Sequence, residues 1–370
     1  MNGALIRIMA MAMKELRVVL LDRRVLTTLV ISPIIQLILF GFATTLEVKN
    51  YDLGVVNRDS GVASEQFLSA LGATRNLRRM VVYPSEAALR EGIENREVIA
   101  GLIVPENLSL HYARRETAEI GLLLDGRRIN AAQIVAGYVG TVAHETGGHM
   151  RPELAHPEPE VAPRHWWNAN LEYRLFTLPG MITLITTVVV LSVSVQAIAR
   201  EREFGTWDEL MALPMRHWEI LAGKAVPAFC VGLFNGTLYV LVIPLVSDVP
   251  FNGSLLLMFI SIASFSLAVT GVGLAISTLA QNQQQAFLGG FLVIVPMMLL
   301  SGYASPVDGM PPWLQVVSRI DPLSHMLTIC HGLFLKGLDA PLVLVHVWPM
   351  LAVAFSALGI GNILLKLRGT

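Results

Sequence analysis

The chain has 370 residues, of which 54% are hydrophobic and 15% are charged, and its formal net charge is -1. Soluble domains carry about 25% charged residues, so this composition excludes a soluble enzyme, a disordered protein and a nucleic-acid-binding protein. Six windows without Asp, Glu, Lys or Arg are each long enough to cross a bilayer core of about 30 Å. They predict spans 1 to 6 at residues 25–46, 176–199, 225–247, 255–280, 286–304 and 342–365.

The segment before span 1, residues 1–24, predicts an amphipathic helix in the cytoplasmic membrane interface. Apolar side chains recur there at helical spacing, and Arg7, Lys14 and Arg17 gather on another face. This pattern is typical of interfacial helices whose cations lie near anionic head groups. The alternative is a cytosolic helix packed on the bundle. Span 1 itself is too long for the apolar core of a signal peptide, so we predict an uncleaved anchor.

The distribution of Lys and Arg predicts the orientation of the spans. Segments on one side carry 11 Lys or Arg in 59 residues, whereas the two short loops opposite carry only 2 in 44. Because basic residues in short segments favour the cytoplasmic side, both termini are predicted to be cytoplasmic in a multi-pass protein of the inner membrane. The basic side comprises residues 1–24, 200–224, 281–285 and 366–370, and the other side 248–254 and 305–341.

The long segment at 47–175 is predicted to be an α/β domain followed by an irregular Pro- and His-rich linker. Short apolar runs alternate with helical patterns up to about residue 143, which is typical of α/β structure. The predicted fold class is therefore a membrane all-α six-helix transmembrane domain with an inserted extracytoplasmic α/β domain. Strands are predicted at 53–57, 80–83, 98–104 and 120–124, and helices at 64–71, 85–95 and 131–143.

Four of the nine histidines lie within 22 residues, at positions 144, 149, 156 and 165, so a metal site has to be weighed against a solvated linker. His144 and His149 are five residues apart rather than four as in H-E-x-x-H, and Gly147 and Gly148 are expected to break the helix. We therefore predict no metal site. No Walker A loop occurs in the chain, so it is predicted to bind no nucleotide or other cofactor itself.

The inner loop at 200–224 carries nine of the chain's charges. It is long enough for a short helix beneath the membrane that exposes carboxylates to a cytosolic partner; a solvated linker helix is the alternative. The loop reads Arg200-Glu-Arg-Glu-Phe-Gly-Thr-Trp-Asp-Glu-Leu-Met-Ala-Leu-Pro214 and ends in Gly223-Lys224.

These residues resemble the type-2 permease subunits of ABC transporters, in the bacterial drug-export-like branch with a large domain after the first span. The resemblance covers the whole chain. It is carried by the run 200–214, by Gly223-Lys224, by the run Leu300–Gln315 with its Pro-Pro-Trp, and by Asp321-Pro-Leu-Ser-His325, where Asp replaces the family's Asn.

The resemblance implies a transporter subunit rather than an enzyme. It implies a dimer with a second copy or a paralogue, driven by separate cytosolic ATP-binding cassette subunits that use ATP and Mg, and moving a hydrophobic or amphipathic, drug-like molecule outwards. Further implied partners are a periplasmic adaptor and an outer-membrane channel, and nucleic acid is not among them. The ATPase-coupling surface is predicted at Glu201, Glu203, Gly205, Thr206, Asp208, Glu209 and Pro214.

Two more sites follow from the resemblance. Residues 305–341 resemble re-entrant helices that form an outer gate at Pro306, Pro311, Pro312 and Trp313, for which a packed cap is the alternative. Spans 2 and 5 line the route in the family, although Ser and Thr within spans also bond helices together. The predicted path comprises Thr183, Thr186, Thr187, Ser194, Met297 and Met298. A membrane-anchored sensor or scaffold that conducts nothing is the alternative function.

Overall fold

The described part of the chain forms two compact units. One comprises Met1–Thr44 and His165–Thr370, and the other Thr45–Arg164. Each unit is described by itself below. The structure, a computed structural model, describes residues 3–21, 27, 31, 34–36, 38–39, 51–74, 77–114, 116, 118–125, 127, 129–150, 173–247 and 249–368.

The elements follow one another in the order expected for an α/β segment between helical ones. The helices before and within the α/β unit are α1 (Gly3–Leu21), α2 (Val62–Gly72), α3 (Glu86–Glu94), α4 (Leu108–Arg114) and α5 (Ile129–Met150). The strands are β1 (Tyr51–Asn57), β2 (Leu77–Val82), β3 (Ala100–Val104) and β4 (Gly121–Leu124). The remaining helices are α6 (Tyr173–Glu203), α7 (Trp207–Met211), α8 (His217–Ser247), α9 (Leu255–Leu279), α10 (Gln283–Leu300), α11 (Pro312–Ser318), α12 (Pro322–His331) and α13 (Ala340–Arg368).

The α/β unit is built on a four-stranded sheet in the order β2-β1-β3-β4. β1 pairs parallel with β2 and β3, and β3 pairs antiparallel with β4. Six of the seven residues of β1 are buried, as expected for a central strand covered on both faces. Leu53 on one face packs in a cluster with Phe67 of α2, and Val56 on the other packs with Leu89 of α3. All four predicted strands are confirmed, whereas α4 was not predicted.

The helix α5 corrects the sequence interpretation of the histidine-rich segment. It continues through Gly147 and Gly148 to Met150, because glycine lowers helix propensity by only about 1 kcal/mol per residue and permits helical dihedrals. His144 is therefore a helical, exposed residue. Among the described residues, no three His, Cys, Asp or Glu side chains are grouped to hold a metal ion. The Pro-rich stretch 151–165 lies outside the described residues.

Five helices in the described part of the chain are long and apolar enough to cross a membrane, and they correspond to predicted spans 2 to 6. The first span, predicted at 25–46, lies largely outside the described residues. The third span differs from prediction at its start, because α8 begins at His217 rather than residue 225. Its early turns contain the charged residues Glu219 and Lys224, so a charge-free window cannot include them. The five are Arg174–Glu203, His217–Ser247, Leu255–Leu279, Gln283–Leu300 and Ala340–Leu367.

We call the unit that contains these five helices the membrane unit. Helix α9 packs there against α6, α8 and α13. Small residues allow the close approach. A Cβ atom added at Gly273 would overlap Ser194 Oγ of α6, and one at Gly232 of α8 would lie 2.5 Å from Ser266 Oγ of α9. Such small-residue contacts are how helices associate where lipid removes the hydrophobic driving force. These contacts hold together the helices that carry the sites described next.

Candidate coupling surface and membrane path

The C-terminal end of α6 is closed by a glycine turn that leads into the short helix α7. Gly205 has a φ of +74°, its N–H donates to the Arg202 carbonyl at 3.2 Å, and the Thr206 N–H donates to the Glu201 carbonyl at 3.0 Å. This pair of bonds is the Schellman arrangement, in which glycine takes the left-handed position at least cost. The turn redirects the chain into α7, so the predicted short helix of the inner loop is present.

The residues before the turn contact several different helices. Arg202 Nη1 donates to the carbonyl oxygens of Thr278 and Ala280, at 2.8 and 2.9 Å, at the end of α9. Its guanidinium carbon also lies 5.2 Å from the centre of the Trp207 ring in α7. A cation at a helix C-terminus satisfies unpaired carbonyls and complements the helix dipole. Arg202 therefore joins the end of α6 to α7 and α9.

Glu201 faces the chain itself rather than solvent. Its side chain is 15% exposed, and its Oε1 accepts from Lys14 Nζ and from Lys224 Nζ, both at 3.1 Å. The Thr206 hydroxyl donates to its Oε2. Lys224 Nζ is fully buried and also donates to Glu15 at 2.9 Å. Of the predicted coupling residues, Glu201 and Thr206 are thus engaged within the chain.

The remaining predicted coupling residues are exposed. Asp208 and Glu209 occupy the first turn of α7, where negative charge is favoured by the helix dipole. Gly205 and Pro214 are exposed on either side of α7, and Glu203 is exposed while it binds the amide of Gln283. Sequence reasoning missed three apolar residues beside them, which are 64%, 47% and 45% exposed: Phe204, Leu213 and Trp218. The sequence signal that could have identified them is the presence of large apolar side chains in a charged loop.

We call this set the inner docking surface: Phe204, Asp208, Glu209, Leu213, Pro214 and Trp218. It combines exposed apolar groups with two carboxylates at one helix N-terminus. Exposed apolar groups bordered by charge mark sites of protein–protein contact. The surface can therefore accept a partner that offers an apolar groove with basic residues near it.

At the other end, short helices connect α10 to α13. A 3₁₀ turn at Val307–Gly309 follows Pro306, α11 has Pro312 in its first turn, and Trp313 is 66% exposed. Ser318 Oγ donates to the Leu300 carbonyl at 2.7 Å, which fastens α11 to α10. Thus the four predicted gate residues, Pro306, Pro311, Pro312 and Trp313, lie in or beside two short elements.

The run that begins at Asp321 serves first as a helix start. Asp321 Oδ1 accepts from the Leu323 N–H at 2.9 Å, and Pro322 occupies the first position of α12. An acidic N-cap followed by proline is a strong start signal, which the sequence interpretation did not use. Helix α12 packs on α6 and α13, and His325 Nδ1 lies 3.0 Å from His346 Nδ1 of α13.

The predicted path residues on α6 lie in contacts between helices of the same chain. Thr183, Thr186, Thr187 and Ser194 are all 2% exposed or less. Thr183 Oγ1 lies 3.6 Å from Cys330 Sγ of α12, and Thr187 and Ser194 donate back to carbonyls of α6. On α10, Met297 is partly buried and Met298 is 38% exposed.

A different stripe of α6 is only partly covered by the described chain. The stripe consists of residues that recur every four positions: Leu184, Val188, Ser192 and Gln196. Val188 is 48% exposed and the other three are partly buried, Leu184 against the core. Residues four apart lie on one helix face. This stripe carries a hydroxyl and an amide, whereas the exposed residues of α10, such as Phe291 and Leu292, are apolar. We call it the α6 stripe.

Comparison with known proteins gives the family. The model of the ABC-2 family of transporter proteins matches residues 23–361. The chain belongs to this family. It is 35% identical over 352 residues to the probable multidrug ABC transporter permease YbhR of Escherichia coli K12, covering 94% of this chain and 95% of that protein. It is 28% identical over 367 residues to the probable multidrug ABC transporter permease YbhS of the same strain, covering 96% and 95%.

A eukaryotic relative is matched over less of its own length. The chain is 24% identical over 326 residues to ABC transporter G family member 20 of Dictyostelium discoideum, covering 85% of this chain and 44% of that protein. As an ABC-2 permease, the chain is a multi-pass membrane subunit of an ABC transporter and works with ATP-binding subunits.

Proposed function

We propose that this ABC-2 permease exports a hydrophobic or amphipathic, drug-like molecule across the bacterial inner membrane as part of a dimer. Separate cytosolic ATPase subunits supply the energy, and both termini lie in the cytoplasm. The excess of Lys and Arg on the side of the inner loop supports this orientation. The proposal puts the α/β unit outside, where a periplasmic adaptor leading to an outer-membrane channel would contact it.

The inner docking surface is the observation that supports energy coupling to an ATPase subunit. Asp208 and Glu209 are exposed, whereas the neighbouring Arg202 is bound to carbonyl oxygens at the end of α9. Phe204 and Trp218 add apolar area that water does not favour. We propose that the ATPase subunit offers an apolar groove with basic residues for this surface. Closure of the ATP-bound ATPase pair then shifts α7 and the inner end of α6 as one body.

The α6 stripe supports the proposed route. An amide such as that of Gln196 is disfavoured against lipid hydrocarbon, so a polar stripe in a span indicates a helix interface or a water-filled cavity. We propose that the stripe faces its counterpart on a second copy or a paralogue, and that the substrate moves between them. The sparse hydroxyl and amide groups among apolar residues suit an amphipathic molecule better than an ion.

The docking experiment compares two charge reversals of equal size. In Asp208→Lys/Glu209→Lys, co-purification of the ATPase subunit should be lost. The matched control, Glu65→Lys/Glu91→Lys, changes exposed helical residues of the α/β unit by the same charge and should retain the ATPase. Retention of the ATPase by the first variant would remove this surface from the interface.

The transport experiment uses inside-out vesicles that contain the permease and its ATPase. ATP should drive uptake of members of a panel of lipophilic and amphipathic molecules, and Val188→Trp in the α6 stripe should block it. Leu245→Trp, on an exposed position of α8, is the control and should transport normally. An ATPase that docks but drives no uptake of any panel member would favour the scaffold alternative.

A further inference from the structure

The motif Gly223-Lys224 lies inside α8, at the point where α1 crosses it. A Cβ atom added at Gly223 would lie 2.6 Å from Met11 Cγ of α1 and 3.5 Å from the Ile8 carbonyl oxygen. Glycine is therefore required for the close approach of these two helices. The next residue, Lys224, is a charged residue that is buried at this crossing.

Every donor of the Lys224 ammonium group is used. Its three N–H groups have three acceptors: Glu15 at 2.9 Å, Glu201 at 3.1 Å and the Ala197 carbonyl at 2.9 Å. A buried ammonium is strongly destabilising unless it is paired and hydrogen-bonded in this way. The lysine thereby binds α1 through Glu15 and α6 through the other two.

The network continues to the start of α7 through one carboxylate. Glu201 accepts Lys224 on one oxygen and the Thr206 hydroxyl on the other. Thr206 is the N-cap residue of α7, yet its hydroxyl bonds Glu201 instead of capping its own helix. The orientation of α7 is therefore tied to the charge on Lys224. Together with Lys14, which also binds Glu201, the cluster has two positive and two negative groups.

An apolar contact joins the same elements. Met11 of α1, Leu210 of α7 and Ile220 of α8 are each 5% exposed or less and form one cluster. Trp207 packs against it. Thus α7 contacts α1 through buried apolar side chains, and it is also linked to α1 by the hydrogen bonds of Glu201 and Lys224.

We propose that Lys224 is a positioning residue for energy coupling, which holds Glu201 against Thr206 and makes α1 move together with α7. The proposal rests on the proposed function, since α7 is taken there as the element that receives the ATPase movement. In this assignment Lys224 touches neither substrate nor ATPase. Its role is to keep the receiving helix and the interfacial helix in one rigid group.

The first experiment measures hydrogen exchange of the full-length protein in detergent, with no partner present. Lys224→Met should accelerate amide exchange in residues 205–212 by about tenfold or more, because it leaves the buried Glu201 without its buried cation. In Lys224→Met/Glu201→Gln the remaining pair, Lys14 and Glu15, is balanced, and the amide oxygen of the introduced glutamine can still accept from Thr206. This double variant should restore slow exchange in those residues.

The matched control removes the other ion pair between α1 and α8. Arg7 binds the buried Glu219 through two hydrogen bonds of 3.0 and 2.6 Å, but it does not contact Glu201 or Thr206. Arg7→Gln should accelerate exchange in α1 and leave residues 205–212 protected. Equal acceleration of residues 205–212 in Arg7→Gln, or a double variant that exchanges faster than Lys224→Met, would overturn the proposal.

The second experiment measures transport per ATP hydrolysed in vesicles. Lys224→Met should still co-purify with the ATPase, because the inner docking surface is unchanged, but it should transport less substrate per ATP. The double variant should regain part of the lost transport. Undiminished transport per ATP in Lys224→Met would overturn the proposal. If wild-type permease transported nothing while the exchange pattern held, the proposed function would fail and the positioning of α7 by Lys224 would stand.

Discussion

The carboxylate of Glu203 accepts a hydrogen bond from the backbone N–H of Gln283 at 2.8 Å, so the last residue of α6 caps the first residue of α10. The Gln283 side-chain amide donates to the same oxygen at 3.2 Å. Arg202 binds the end of α9, and Glu203 binds the start of α10. The end of α6 therefore contacts both ends of the short connection between α9 and α10.

This relationship predicts the effect of changing Glu203. Glu203→Ala should lower the free energy of unfolding by about 1 kcal/mol, as loss of an N-terminal cap does. Glu203→Lys should lower it further, because it places a cation at a helix N-terminus. Thermal unfolding in detergent measures both. Glu209→Ala, an exposed residue of α7, is the control and should unfold like the wild type; a Glu203→Ala protein as stable as this control would contradict the prediction.

Gly205 is predicted to be required for its backbone conformation alone. Its φ is +74°, and a Cβ atom there would meet nothing within 4 Å, so a side chain would be strained but not crowded. Gly205→Ala should therefore cost about 1–2 kcal/mol and weaken ATPase binding by disturbing α7. Gly205→Asn should cost less, because Asn tolerates the left-handed region. Thermal unfolding and co-purification should rank the three proteins Gly, Asn, Ala.

A Gly→Ala substitution should have different effects inside and outside the contact between α6 and α9. Gly273→Ala should destabilise the protein by about 1–3 kcal/mol, because its methyl group overlaps Ser194 Oγ. Gly359→Ala in α13 meets no atom within 4 Å and should be neutral or stabilising by up to about 1 kcal/mol. In Gly273→Ala/Ser194→Gly the overlap is gone, and stability should recover. Unfolding midpoints that fail to separate Gly273→Ala from Gly359→Ala would refute the close contact.

Asp52 in the α/β unit predicts how that unit responds to acid. Hydrogen bonds from Arg78, of which the Nε contact is 2.8 Å, and the charges of Arg78 and Arg79 hold the pKa of Asp52 below its usual value. A lowered folded-state pKa stabilises the unit above the ordinary pKa of about 4, and this stability is lost as the pH falls through the lowered value. Exchange protection of β1 and β2 should fall in that range.

The same pH series includes two variants. Asp52→Asn should lack this part of the acid response and should be less protected at neutral pH, because the neutral amide pairs more weakly with Arg78. Asp208→Asn, which changes an exposed carboxylate of the membrane unit, should keep the wild-type profile of β1 and β2. An unchanged acid response in Asp52→Asn would assign it to other carboxylates.

Local patterns predicted most of the secondary structure and the family, but not the long-range contacts that position the candidate site residues. Alternation of apolar runs predicted all four strands, and freedom from charge predicted the five spans found. The requirement for a charge-free window placed the start of span 3 at residue 225, whereas α8 begins earlier. A charge count cannot recognise that Lys224 is paired with Glu15, 209 positions away. The acidic run was predicted as a docking surface, yet Glu201 faces inwards for the same long-range reason.

The burial of the predicted path residues also depends on distant contacts. The resemblance placed the path on spans 2 and 5, and the fold buries Thr183 and Ser194 of span 2 against Cys330 and Gly273. Nothing local distinguishes Ser194 from Ser192, because both hydroxyls donate to carbonyls of their own helix. Only the positions of the surrounding helices leave Ser192 partly exposed while Ser194 is buried.

The ion pairs of α1 also bear on the order in which the protein is made. Arg7 and Glu219 are 212 residues apart, and Glu15 and Lys224 are 209. At about 5–20 residues per second, α1 leaves the ribosome roughly 10–40 s before its partners in α8 exist. During that interval its apolar face can rest on the membrane surface while Arg7 and Glu15 remain hydrated. Helix α1 therefore becomes locked in place only after α8 has been made, and a nascent chain ending before Lys224 would bring Glu15 and Glu201 together without their shared cation.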